Sequence, residues 1–90
     1  MQRARISVTG KVQGVWFRHN ANIIANKLGL KGYVRNTPDS VEIVAEGDAG
    51  QITKLIEFCQ QGPPSARVED VKVDEEEPTG EFNSFEIKYD

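Results

Sequence analysis

The sequence is poor in the residues that usually build elaborate sites. One cysteine rules out an internal disulfide, and with it the disulfide scaffolds of small oxidised proteins. One cysteine and one histidine also exclude the usual zinc spacings, which need several such ligands. No EF-hand loop and no Walker A loop are present. No apolar run approaches the ~20 residues that span a bilayer. The opening Met1-Gln2-Arg3-Ala4-Arg5 passes straight into an alternating pattern with no secretory signal. Carboxylates alone could still hold a weak Mg or Ca site, and a cytoplasmic protein without a cofactor is expected. Positive charge is short as well: 11 Lys and Arg stand against 14 Asp and Glu, a net −3, the wrong sign for non-specific binding to nucleic acid.

What is present is apolar periodicity. A chain of 90 residues holds one modest core, and a single domain over residues 1–90 is expected. Ala4, Ile6 and Val8 alternate with Arg5, Ser7 and Thr9, the period of a half-buried strand of about seven residues. Gly10 and Gly14 bracket a loop. From Phe17 the period changes: Phe17, Ala21, Ile24, Ala25 and Leu28 form one stripe of a helix that stops at Gly29. Gly32 to Asn36 reads as a second strand. Asn36-Thr37-Pro38-Asp39-Ser40 is a turn, since Pro38 lacks the amide that a strand needs. Val41, Ile43 and Ala45 mark a third strand, paired with the second as a hairpin. Asp48 and Gln51 resemble a capping box ahead of a second helix, whose stripe is Ile52, Leu55, Ile56 and Cys59 and whose end is near Gly62. Val68, Val71 and Val73 form a fourth strand whose change of phase predicts a bulge or an edge. Asp74-Glu75-Glu76-Glu77 with Pro78-Thr79-Gly80 reads as a solvated loop. Phe85, Ile87 and Tyr89 alternate as a short last strand.

The order is βαββαβ with an extra C-terminal strand. It predicts an α+β, ferredoxin-like sandwich with two helices on one face of a mixed, mainly antiparallel sheet. The other face is expected to be partly solvated. This fold hosts many functions and decides none.

The stretch Gly10-Lys11-Val12-Gln13-Gly14-Val15-Trp16-Phe17-Arg18 joins a strand to a helix N-terminus. Unpaired amides and the positive end of the helix favour an anion there. Glycines let several N–H groups converge on a tetrahedral anion, and Arg18 falls within reach of the same point with a guanidinium suited to phosphate. A glycine turn before a helix is also commonly structural, and an Arg in a first helical turn commonly points at water, so spacing alone leaves both readings open. Asn36 ends its strand beside a turn. It is either a turn-capping residue or one that holds a water, and it is not a base, because its amide does not titrate near neutrality. His19 is read as a surface residue or a catalytic one, and Trp16 as a rim residue or part of an acyl pocket.

These residues resemble a known family. The loop matches the first acylphosphatase signature, Gly-x-Val-Gln-Gly-Val-x-Phe-Arg. Gly32-Tyr33-Val34-Arg35-Asn36 matches the second, Gly-aromatic-Val-x-Asn, with Val41-Glu42 at the expected distance. Gly62-Pro63-Pro64-Ser65-Ala66-Arg67-Val68 and the closing Phe85-Glu86-Ile87-Lys88-Tyr89 also fit, so the resemblance covers nearly the whole chain. It implies metal-free hydrolysis of the carboxyl–phosphate bond of acyl phosphates. Arg18 would bind the phosphate together with the loop amides of Gln13, Gly14, Val15, Trp16, Phe17 and Arg18 itself, and Asn36 would position the attacking water. Inorganic phosphate would be product and competitive inhibitor, and the protein a monomer with no nucleic-acid or membrane partner. The family often carries Asp-Gly in the turn after the Asn, where this chain has Pro38-Asp39-Ser40. The competing reading on the same fold is a non-catalytic anion- or RNA-binding module. Lys31-Gly32-Tyr33-Val34 begins like an RNA-recognition core and then departs from it.

Overall fold

The computed structural model describes residues 1–14 and 16–89. Strand β1 (Gln2–Lys11) buries Ala4, Ile6 and Val8 on one side. It runs longer than the alternation alone predicts because it is paired along both edges. Helix α1 (Phe17–Lys27) follows, then the hairpin β2 (Lys31–Asn36) and β3 (Val41–Gly47), helix α2 (Ala49–Gln61), β4 (Arg67–Glu76) and β5 (Phe85–Lys88). The sheet order is β4-β1-β3-β2-β5. Every neighbouring pair is antiparallel except β2 with β5, which is parallel. This is the ferredoxin-like α+β arrangement expected from the element order.

Both helices pack on the face that carries Ile6, Val8, Val34, Val41 and Ile43, and their stripes join these residues in one core. Phe17 is fully buried and meets Phe58 of α2 with ring centroids 5.5 Å apart. Burying a side chain of that size contributes about 1.5–3 kcal/mol. Ala21 and Ala25 are also fully buried, and their small side chains let α1 lie close to the sheet. The helix ends in a Schellman arrangement: the N–H of Gly29 donates to the carbonyl of Asn26 (3.1 Å), and that of Leu30 to Ala25 (3.0 Å). Cys59 is buried in the core, and burial pushes its thiol up to about 12, which leaves it unreactive.

The fourth strand has the expected irregularity. Thr9 pairs with Asp70 but Gly10 pairs with Val68, so Glu69 is the extra residue of a bulge on an edge strand. Three expectations need correction. The acidic run is not all loop, because Asp74, Glu75 and Glu76 complete β4 opposite Arg5, Ala4 and Arg3. Glu76 pairs with both Arg3 and Arg5 across the strands, which holds the end of β4 in the sheet. The capping box does not form. Asp48 precedes α2 without a side-chain cap, and the side-chain amide of Gln51 reaches the carbonyl of Leu28 at 3.5 Å instead. Tyr89 lies beyond β5 and is exposed.

The outer face of the sheet is more closed than the alternation implies, since Val44 and Glu46 are buried there. Arg3 donates to Glu46 (2.9 Å), Glu76 (2.9 Å) and Glu81 (3.0 Å). Arg5 joins Glu76 (2.8 Å) to Glu42 (3.0 Å), and Arg35 reaches Glu42 at 2.7 Å. Burial alone would raise the pKa of Glu46. The backbone N–H of Thr79, the Arg3 guanidinium, the N–H of Gly80 and the Thr79 hydroxyl outweigh burial and hold the carboxyl down to about 2. A single carboxylate thereby fastens the segment after β4 to the centre of the sheet.

Candidate active site

Topology sets the location. Because β1 and β2 are both antiparallel to β3, they run in the same direction, and β5 runs parallel to β2. The C-terminal ends of β1, β2 and β5 therefore share one end of the sheet. The N-terminus of α1 follows directly from β1 at that end.

The loop between β1 and α1 is anchored at its start by Val12, which is buried. Gly10 must be glycine for lack of space, since a Cβ there would run into the carbonyl of Arg67. Gly14 has a φ of 71°, in the left-handed region that glycine adopts at little cost. Trp16, the residue before α1, is also left-handed at φ 65°, ψ 18°. It is the one such non-glycine residue among those described. A bulky side chain in this region stores strain on the order of 1–3 kcal/mol. The carbonyl of Trp16 accepts both the backbone N–H (3.0 Å) and the side-chain amide (2.8 Å) of Asn20. Nothing caps the helix start: Trp16 makes no side-chain cap, and the first turn holds no acidic residue. The amides and the positive end of α1 are left for an anion. Val15 lies outside the described residues.

Gln13 does something the spacing did not show. Its side-chain amide donates to the carbonyls of Thr37 (2.6 Å) and Ser40 (2.9 Å), tying the loop to the β2–β3 turn. That turn is closed by Thr37, whose N–H donates to Ser40 (2.9 Å) and whose hydroxyl accepts from the N–H of Ser40 (3.0 Å). Thr37 and Ser40 thus do the closing in a turn that lacks the family's Asp-Gly. Asn36, the residue before the turn, is drawn next to the loop.

Arg18 and Asn36 line one cavity of about 320 Å³. Gly14, Trp16, Phe17 and His19 line its loop and helix side, with Val12, Ile87 and Tyr89 completing it. Gln13 is not part of the lining, its side chain being engaged with the turn. Arg18 donates to the carbonyl of Lys88 at 3.4 Å, and its guanidinium carbon stands 5.0 Å from the centre of the Tyr89 ring. Arg3, Arg5 and Arg35 all pair with carboxylates, whereas Arg18 pairs with none among the described residues. Its charge remains for a ligand. Asn36 Oδ1 is buried and has no hydrogen-bond partner among the described residues. Leaving such a group unpaired costs about 1–3 kcal/mol, and a native structure that keeps one calls for an explanation. His19 is exposed, and its ring meets Trp16 edge-on at 5.9 Å. No group of three or more His, Cys, Asp or Glu among the described residues could hold a metal ion, and no helix is long and apolar enough to cross a membrane.

Sequence reasoning missed Lys88 and Tyr89 as neighbours of Arg18. Their contact spans 70 residues of chain, and no local spacing signals it.

The fold agrees with what this chain is similar to. Residues 4–87 match the family model described as acylphosphatase. The chain is 50% identical over 91 residues to an acylphosphatase of Methylococcus capsulatus, covering 100% of this chain and 99% of that one. It is 54% identical over 87 residues to an acylphosphatase of Pyrobaculum calidifontis, covering 94% and 79% respectively. A crystal structure of acylphosphatase from Bacillus subtilis superposes with a TM-score of 0.94 at 37% identity, over 99% of this chain and 100% of that one. On these grounds the chain belongs to the acylphosphatase family, hydrolases that act on acyl phosphates.

Proposed function

We propose that the acyl phosphate is cleaved in the cavity shared by Arg18 and Asn36. The observation that carries this reading is that Asn36, whose buried Oδ1 has no partner among the described residues, lines the same cavity as an arginine with no carboxylate partner among them. The loop amides of Gln13, Gly14, Val15, Trp16, Phe17 and Arg18 take the phosphoryl oxygens together with the Arg18 guanidinium. These donors stabilise the charge on those oxygens as the transition state forms.

The Asn36 carbonyl accepts a hydrogen bond from a water and aims its lone pair at phosphorus, in line with the departing carboxylate. Water supplies the new P–O bond, the acyl C–O–P linkage breaks at phosphorus, and the electron pair leaves with the carboxylate. An amide cannot take the proton, so it passes to a phosphoryl oxygen of the substrate. An acyl phosphate is a mixed anhydride with a good leaving group, so positioning and charge stabilisation suffice.

The same reading makes inorganic phosphate, the product, a competitive inhibitor. It describes one domain over residues 1–90, a monomer in the cytoplasm that uses no cofactor. The test is release of phosphate from benzoyl phosphate by the purified chain without added metal, with phosphate inhibition measured in the same assay. Turnover with competitive inhibition is expected; a chain that binds phosphate and releases none from benzoyl phosphate would be an anion-binding module instead.

A further inference from the structure

If the cavity works as just proposed, its geometry also says where the acyl group goes. Water and the leaving carboxylate stand on opposite sides of phosphorus. Asn36 holds the water with a buried oxygen, so the acyl group points the other way, toward the solvent-facing part of the lining. That part is aromatic: Trp16 is 74% exposed and Tyr89 77% exposed. We infer that Trp16 is the platform for the acyl group, and that the preferred substrates carry a flat, apolar acyl group, aryl before short alkyl.

Three observations support this assignment. Trp16 holds a left-handed backbone that a bulky residue adopts only at a cost, yet its indole fills no core space in return. The strained position instead displays the ring beside the cavity. The ring is also oriented, since His19 meets it edge-on at 5.9 Å, which reduces the freedom lost when a second flat group stacks. Finally, Arg18 is the one permanent cation among the described lining residues, and the phosphoryl group occupies it. A second anionic group on the acyl side would find no partner there.

A stacking platform that touches the acyl group equally in substrate and transition state acts on KM and leaves kcat alone. The experiment compares benzoyl phosphate with acetyl phosphate on the full chain, for wild type, Trp16→Gly, Trp16→Leu and Trp16→Phe. Wild type is expected to show a KM about two- to tenfold lower for benzoyl phosphate. Trp16→Gly, which suits the left-handed backbone, should remove most of that preference by raising the benzoyl phosphate KM several-fold more than the acetyl phosphate KM. Trp16→Phe should keep the preference. Equal KM changes for both substrates, or no preference in wild type, would overturn the inference. If Trp16→Gly loses phosphate inhibition, the loop itself has shifted and the Phe and Leu variants decide: preference kept by Phe and lost by Leu supports the platform, and equal behaviour overturns it. Hydrolysis of neither substrate by wild type would overturn the hydrolytic reading and this inference with it.

Discussion

Arg18 donates to the backbone carbonyl of Lys88 at 3.4 Å, across 70 residues of sequence. The contact docks the end of β5 against the first turn of α1. Together with the ring of Tyr89, whose centre is 5.0 Å from the guanidinium carbon, it holds the guanidinium at the cavity without neutralising it. A carboxylate in the place of that carbonyl would compete with phosphate for the same charge.

Arg18→Gln keeps a hydrogen-bond donor but loses the charge and the planar fork. We expect kcat/KM to fall by at least the ~3–4 kcal/mol typical of removing one preorganised donor, a factor of several hundred. Arg18→Lys should recover little of it, because a point charge on a flexible stem does not reproduce bidentate binding. Circular dichroism should show the fold retained in both variants, since the side chain is not part of the core. Steady-state kinetics on acyl phosphate that matched wild type would remove Arg18 from the site.

Asn36→Ala separates function from stability. The variant deletes a buried oxygen that has no partner among the described residues, so the thermal midpoint should stay level or rise. Turnover should be lost, because no other described lining group is poised to aim the water. A lowered midpoint with turnover preserved would make Asn36 a turn residue with no part in the chemistry.

Gln13→Ala tests the tie between the two motifs. It removes the donor that joins the loop to the carbonyls of Thr37 and Ser40. A loss of about 1 kcal/mol is expected in chemical denaturation. A fall in kcat of about tenfold should accompany it, because small displacements of positioned groups are costly. Unchanged kcat alongside the lost stability would show that Asn36 is placed by its own strand alone.

Glu46 controls the acid limb of stability. Its carboxyl is 2% exposed and is held at about 2, below the ordinary value of 4.5. The native state thus favours the ionised form, and the resulting stability is fully present above about pH 4.5 and is lost as pH falls toward about 2. It is worth on the order of 3 kcal/mol. Glu42 and Glu76 are lowered as well: burial works against the lowering at Glu42 but Arg35, Tyr33 and Arg5 outweigh it, and Arg5 and then Arg3 lower Glu76. Glu46→Gln should be less stable than wild type at neutral pH, with the difference closing as pH falls toward about 2. Thermal midpoints between pH 2 and pH 7 check this, and a difference that widened on acidification would contradict it.

The parts legible in the sequence are those governed by local spacing. Alternation in residues 4–9, the stripe from Phe17 to Leu28 and the phase change near Val68 each follow from the geometry of a single element, and they fix the fold once the element order is known. Spacing alone marks the Gly10 to Arg18 loop and Asn36 only as candidates, and it is their resemblance to the family's two signatures that suggests a site. What stayed hidden is made by tertiary pairing. Glu76 reads as part of a solvated run until Arg3 and Arg5 on the neighbouring strand draw it into the sheet. Gln13 gives no sign that its side chain bonds a turn 24 residues away. Lys88 enters the site through its carbonyl, which every residue type possesses, so no side-chain pattern could mark it.

The central claim is a division of labour, with Arg18 binding phosphate and Asn36 placing water. Calorimetric binding of inorganic phosphate to wild type, Arg18→Gln and Asn36→Ala tests it most directly. Asn36→Ala should bind phosphate as wild type does, while Arg18→Gln should not. Phosphate binding that is lost in Asn36→Ala and kept in Arg18→Gln would contradict it.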